Sequence, residues 1–217
     1  MSELLFAAAA GLPLLAGWSL HALRLRRRVE AARRDPLTGL WTRDAFEERA
    51  RKRLSTPRSA VYLLDLNRFK EVNDDHGHAA GDVVLRATGR RLAEWACIND
   101  ATVGRLGGDE FAAVASHRSR AELEWALTEL THALTQPIDI GGLRVAVGAS
   151  IGAVDVDPRA GVVDLSQVLR RADEQMYAAK RAGIPWQITN DLTPQCATVT
   201  GRRAGRLGST GGTEAAV

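Results

Sequence analysis

The chain has 217 residues, with 29 Lys+Arg against 26 Asp+Glu, 45% apolar residues, 5% aromatics and 2 Cys, a length that fits one or at most two domains. This balance excludes a disulfide scaffold, a collagen-like fibre and wholesale disorder. The net charge of +3 is local rather than spread, because Arg24, Arg26, Arg27, Arg28, Arg33 and Arg34 fall within eleven positions, so no nucleic-acid-binding domain is implied. Cys97 and Cys196 lack CxxC spacing and a nearby His pair, which leaves neither a cysteine metal site nor a disulfide framework and fits a reducing compartment.

Leu4 to Leu23 is a run of twenty residues without a formal charge when His21 is neutral. At about 1.5 Å per residue such a run crosses a bilayer core, so the sequence predicts one transmembrane helix over residues 1–23. Pro13 removes one internal hydrogen bond, and Trp18 and His21 lie where an interface is expected. Glu3 is the only side-chain charge before the run and four arginines follow it closely. The positive-inside rule then predicts a single-pass protein of the cell inner (cytoplasmic) membrane, held through this N-terminal helix, with the rest of the chain in the cytoplasm. A cleaved signal peptide would want a basic n-region, a shorter apolar stretch and a small-residue cleavage site.

Residues 24–34 contain good helix formers and form a short basic stalk that Asp35-Pro36 breaks. Residues 35–191 make one compact domain, and 192–217, rich in Gly, Thr, Arg and Ala without hydrophobic periodicity, reads as a disordered tail. Inside the domain, Ala60 to Leu66 is a continuous apolar run and predicts a buried central strand with Asp65 at its end. Gly81 to Ala96 predicts a helix, with Val83, Val84, Leu85, Leu92 and Trp95 at roughly helical spacings and Asp82 placed to cap it. Thr102 to Leu106 and Phe111 to Ala115 flank Gly107-Gly108-Asp109-Glu110, the spacing of a tight hairpin turn. Ala121 to Leu134 predicts a helix, Leu143 to Val156 one or two strands, and Leu165 to Ala182 a helix closed by Gly183. The alternation is that of an α/β domain.

If the strands ending in Asp65 and Asp109 are neighbours, two carboxylates converge. Their repulsion is relieved by a hard divalent cation with oxygen ligands, which in turn takes up phosphate oxygens. Arg68-Phe69-Lys70 follows the strand where backbone N–H groups can face phosphate, Lys180 offers a point charge, and Gly107 and Gly108 allow close backbone approach. Asn73 and Asp82 supply an amide and a carboxylate, a pair able to read a guanine edge.

Four blocks, DPLTGLWTRDAF (35–46), LDLNRFKEVNDDHGHAAGD (64–82), RLGGDEF (105–111) and ADEQMYAAKRAG (172–183), resemble in order and spacing the signature stretches of the GGDEF, or diguanylate cyclase, domain. The resemblance implies a central five-stranded antiparallel or mixed sheet surrounded by helices, like the palm of nucleotidyl cyclases, here preceded by the transmembrane helix. It implies an enzyme that condenses two GTP into cyclic di-GMP with release of pyrophosphate, working as a homodimer with Mg²⁺ (or Mn²⁺). By position, Asp65, Asp109 and the Leu66 carbonyl resemble the metal ligands. Asp109 also resembles the base for the ribose 3′-hydroxyl, and Glu110 the second acid. Asn73, Asp82 and His78 resemble substrate-contacting residues, Arg68, Phe69 and Lys70 the phosphate-binding turn, and Lys180 a phosphate lysine.

The chain departs from the family pattern at Ile184, where most members carry an arginine that clamps the terminal phosphate. A lost charge-assisted contact of about 1.5 to 3 kcal/mol weakens GTP binding by roughly one or two orders of magnitude. A catalytically degraded module acting as a binding or scaffold protein is therefore the alternative. The RxxD motif of the family's inhibitory product site aligns with Ile98, Asn99, Asp100 and Ala101, so both key side chains are absent and no product inhibition through that site is expected. Asn67 and Trp41-Thr42-Arg43 are smaller departures.

Overall fold

The computed structural model describes residues 18, 21–55, 58–157, 159 and 164–192. Residues 21–32 are helical and lead to the β1 strand (Trp41–Thr42) and helix α1 (Arg43–Arg53). Then follow β2 (Ser59–Leu66), α2 (Phe69–His76), α3 (His78–Ile98), β3 (Ala101–Gly107) and β4 (Glu110–Ser116). Helix α4 (Arg120–Thr135), a small hairpin of β5 (Ile138–Ile140) and β6 (Leu143–Val145), β7 (Ala149–Val156), α5 (Leu165–Ala182) and β8 (Trp186–Thr189) complete the chain.

The central sheet has the order β1-β3-β4-β2-β7-β8, parallel at its two outer pairings and antiparallel between. It has six strands rather than the five expected, because the two residues of β1 pair with Gly104 and Arg105 of β3 at one edge. Every residue of β2 and of β7 is buried, so neither strand shows the alternation of a half-exposed sheet. Side-chain alternation divides the core in two. Tyr62, Leu64 and Leu66 join Trp95, Leu127 and Ile151 beneath α3 and α4. Val61 and Leu63 join Phe46, Val168 and Met176 beneath α1 and α5.

Several sequence expectations are corrected in detail. Helix α3 begins at His78, with Gly77 at its N-cap. Asp82 therefore lies inside the helix and does not cap it. A single residue, Gly77, separates α2 from α3, and its φ of +81° suits a residue without a Cβ. Leu143 to Val156, expected as one or two strands, is two, and they lie in two different sheets. The expected closure of the last helix by Gly183 holds, with φ +68° and its N–H returned to the Lys180 carbonyl at 3.4 Å.

The expected membrane span and the localisation built on it are also corrected. Among the described residues no helix is long and apolar enough to cross a membrane. The helical stretch 21–32 carries Arg24, Arg26, Arg27, Arg28 and Glu30, residues expected in the basic stalk rather than in the span. Most of Leu4 to Leu23 lies outside the described residues, as do residues 193–217, to which most of the expected tail belongs.

Candidate active site

Asp65 is the seventh residue of β2 and shares a face with Val61 and Leu63, so alternation turns its carboxylate toward α5. It is buried, and Lys180 from the last turns of α5 ion-pairs with its Oδ2. Burying a carboxylate costs several kcal/mol unless it is paired, roughly, and the ammonium of Lys180 meets that requirement. In the antiparallel register Asp65 stands opposite Glu110 on β4 and opposite Ser150 on β7. Glu110 shares its face with Ala112 and Val114, hence with Asp65.

The turn that carries Asp109 is tighter than the four residues expected. Gly107 pairs with Glu110, a register shift falls between Arg105 and Gly107, and only Gly108-Asp109 remain between the strands. Gly107 at φ +146° and Gly108 at φ +54° take conformations that side chains resist. The backbone of this turn reaches back to β2, where the Leu66 N–H donates to the Asp109 carbonyl at 3.3 Å. Asp65, Leu66 and Asp109 are thereby neighbours at one end of the sheet. Their donors are two carboxylates and a backbone carbonyl, an all-oxygen set that fits a hard divalent cation. Among the described residues no group of three or more His, Cys, Asp or Glu side chains is placed to hold a metal, so such an ion would need the carbonyl and further ligands from substrate or water.

Arg68 takes the left-handed conformation at φ +57°, which turns the chain sharply from β2 into α2. The first N–H groups of α2, those of Phe69 and Lys70, have no partner within the helix. Asn73 projects from α2 and Asp82 from α3, and Arg86 stands 3.7 Å from the half-exposed Asp82 carboxylate. His78 is exposed at the start of α3. Ile184 follows Gly183, donates its N–H to the Ala179 carbonyl at 3.1 Å, and leaves its side chain 44% exposed one turn beyond Lys180.

Two residues that position the turn were not singled out from the sequence. Asp35 accepts from the Thr38 N–H and hydroxyl at 2.8 and 2.6 Å and from the Arg105 guanidinium at 3.1 and 3.2 Å. Burial alone would raise the Asp35 carboxyl, but the Thr38 and Arg105 hydrogen bonds outweigh it and hold it below the usual carboxylate range. Arg105 also donates to the Gly108 carbonyl at 3.0 and 2.8 Å, so one guanidinium ties the turn to the segment before β1. The signal available in the sequence was Asp35 three residues before Thr38, an Asx-type turn, and an arginine two residues before Gly107. Asn67 is drawn toward β7, its Oδ1 accepting from the Ser150 hydroxyl at 2.8 Å.

A shallow cleft of about 350 Å³ outside the turn is lined by Asp35, Thr42, Arg43, Arg105, Leu106, Gly107 and Gly108. A larger cleft of about 490 Å³, lined by Tyr62, Asn99, His117 and Trp125 among others, lies at the opposite end of β2 and β4. It is remote from the carboxylates and holds none of the groups just described.

The family model described as "Diguanylate cyclase, GGDEF domain" matches residues 32–184. The chain is 47% identical over 174 residues to an uncharacterized 19.3 kDa protein in the repSA 5′ region of Streptomyces ambofaciens, covering 80% of this chain and 91% of the relative. It is 36% identical over 156 residues to the cyclic di-GMP phosphodiesterase PdeR of Escherichia coli, covering 70% of this chain but 23% of the relative. It is 35% identical over 158 residues to the diguanylate cyclase DgcN of Escherichia coli, covering 70% of this chain and 38% of the relative. Among solved structures it superposes on the coiled coil and GGDEF domain of DgcB from Caulobacter crescentus in complex with c-di-GMP. That match has TM-score 0.67 and 26% identity, over 81% of this chain and 96% of the other.

Proposed function

Since the chain belongs to the GGDEF, or diguanylate cyclase, domain family, whose members bind GTP and generally use divalent metal ions, we propose that it condenses two GTP into cyclic di-GMP with release of pyrophosphate. The observation that carries this reading is the convergence of Asp65, Glu110 and Asp109 with Lys180 at one end of the sheet. The name of DgcN supports it; that of PdeR, matched over 23% of its length, supports only a place in cyclic di-GMP metabolism.

In this reading each domain of a homodimer holds one GTP. Asn73 and Asp82 read the guanine edge, beside His78, because a carboxylate accepts from the ring N1–H and the 2-amino group. The triphosphate lies over the backbone of Arg68, Phe69 and Lys70, at the start of α2, and against the turn glycines Gly107 and Gly108, which allow close backbone approach. Lys180 divides its ammonium between Asp65 and the terminal phosphate. Asp65, Asp109 and the Leu66 carbonyl would hold Mg²⁺ (or Mn²⁺), which when bound lowers the pKa of a hydroxyl and neutralises phosphate charge. Asp109 takes the proton of the ribose 3′-hydroxyl, whose oxygen attacks the α-phosphorus of the partner GTP as pyrophosphate leaves. Two such transfers close the ring, and Glu110 adds negative charge beside the cation. Arg105, held by Asp35, keeps the Gly108-Asp109 turn at its working height.

Ile184 favours a slow enzyme, since a sec-butyl side chain offers the terminal phosphate no hydrogen bond or charge. At the site of the inhibitory motif Ile98 is exposed and Asp100 pairs with Arg53 at 2.8 Å, so product feedback through that surface is not part of the proposal. The test is to incubate the full chain with GTP and Mg²⁺ and follow cyclic di-GMP and pyrophosphate. Product that disappears in Asp109→Ala and rises about ten- to a hundredfold in Ile184→Arg, chiefly through tighter GTP binding, is the expected result. Absence of product in both the native chain and Ile184→Arg, with GTP still bound, would favour the binding-module alternative instead.

A further inference from the structure

Helices α2 and α3 are separated by one residue, and they meet at Gly81. A Cβ built on Gly81 would lie 2.0 Å from Asn73 Oδ1 and 3.2 Å from Phe69 Cζ. Asn73 and Phe69 are one helical turn apart on α2, so the bare Cα of Gly81 is the notch that receives both. The atoms in conflict with a methyl group are ends of side chains rather than backbone. Asp82, the next residue, carries the half-exposed carboxylate.

We propose that Gly81 is a positioning residue for nucleobase recognition: its missing side chain lets the Asn73 amide lie against α3 beside the Asp82 carboxylate, so that amide and carboxylate present one edge to a purine. The inference rests on the cyclase reading above and adds to it the residue that sets the geometry of the pair. Geometry gives it content independent of folding. Gly→Ala inside a helix is ordinarily favourable by roughly 1 kcal/mol. A methyl group at 81 meets a side chain that can swing away, so the Gly81→Ala fold persists while Asn73 is displaced.

The experiment uses the full chain and a fluorescent GTP analogue with Mg²⁺, in the native protein, Gly81→Ala, Asn73→Ala and the double variant, with thermal unfolding of each. Gly81→Ala is expected to weaken binding about tenfold, the scale of one lost hydrogen bond with its partner left unsatisfied. In the Asn73→Ala background the same change is expected to alter affinity by less than about twofold, because the group it displaces is gone. A readout without nucleotide accompanies it: the Asn73 side-chain amide resonances, identified by their loss in Asn73→Ala, shift in Gly81→Ala. Equal and additive losses in both backgrounds, or unmoved amide resonances, would overturn the positioning role while leaving the cyclase reading intact. A native chain that binds no guanine nucleotide would overturn both.

Discussion

Asp155 shows how a single buried charge is made tolerable at the end of the sheet away from Asp65 and Asp109. Arg58 donates to its two oxygens at 3.0 and 2.6 Å, and His117 Nε2 stands 3.0 Å from Oδ1 while Nδ1 faces the Ser119 carbonyl at 3.2 Å. Burial pushes the Asp155 carboxyl up, but Arg58 and the neighbouring His117 prevail and hold it below the ordinary carboxylate range. A folded-state pKa depressed in this way contributes stability above the unfolded value, near 4, roughly, and that contribution is lost as the pH falls through the folded value. Asp155→Asn is therefore expected to cost about 1 to 3 kcal/mol at neutral pH, with the gap closing as the solution is acidified below about pH 4. Urea unfolding of both proteins across a pH series measures this; a gap independent of pH would contradict it. Tyr62, packed edge-on against Trp95 with ring centroids 5.5 Å apart, has its phenol pushed up by burial first and then by Asp155. It is uncharged at any pH of interest.

At the scale of elements, the delivery of Lys180 to Asp65 depends on how closely α5 lies on β7. A Cβ at Gly152 of β7 would meet the Ala172 carbonyl at 2.0 Å and the Met176 backbone N at 2.3 Å. Lys180 is one turn beyond Met176, on the same helix face. Gly152→Ala has no flexible side chain to displace, so the helix itself must lift. Overpacking of this kind costs about 1 to 3 kcal/mol. The expected outcome in urea unfolding is a lower midpoint at unchanged slope, with GTP affinity falling as Lys180 is drawn from the site. Unaltered stability in Gly152→Ala would show that the helix has more room than its backbone contacts imply. The β3–β4 hairpin is held differently, by Arg105 across Asp35 and the Gly108 carbonyl, which links the position of the Gly108-Asp109 turn to the segment that follows the N-terminal helix.

For the whole molecule the proposed reaction needs two copies, since each domain offers one set of base-reading and metal-binding groups. The helical residues 21–32 carry Ala22, Leu25, Val29 and Ala32, a spacing of three and four that lines one face of a helix. Leu25 and Val29 are more than half exposed, and four of the other eight residues are arginine. Pairing of two such helices would bury that stripe and hold two copies together. Replacing Leu25 and Val29 by Glu is expected to lower the dimer fraction in sedimentation at micromolar protein, and to make specific activity rise more steeply with concentration. An activity that stays proportional to concentration in both proteins would argue against dimerisation through this helix.

Much of this was legible in the chain because it is local. The apolar run ending in Asp65, the glycine pair before Asp109 and the glycine closing the last helix each announce themselves through burial pattern or backbone conformation, and four blocks in order identified the family. What local pattern could not supply is what distant segments do to one another. Asp65 reads the same whether it faces Lys180 or solvent; strand alternation and the seat of α5 on Gly152 decided that. Asp35 and Arg105, seventy residues apart, become a single device only once β1 and β3 are paired. Likewise Arg33 pairs with Glu48, Arg49 with Glu30, and Arg34 and Arg49 both cover the Trp41 ring, contacts between segments that spacing does not announce. The sequence by itself determined the family, the central strands and longer helices, and the identity of the acidic groups, since these follow from residue type and spacing. The tertiary structure alone decided which charges are neutralised, how tight the turn is and where Asn73 rests, because each is a contact between chain segments that sequence distance does not encode.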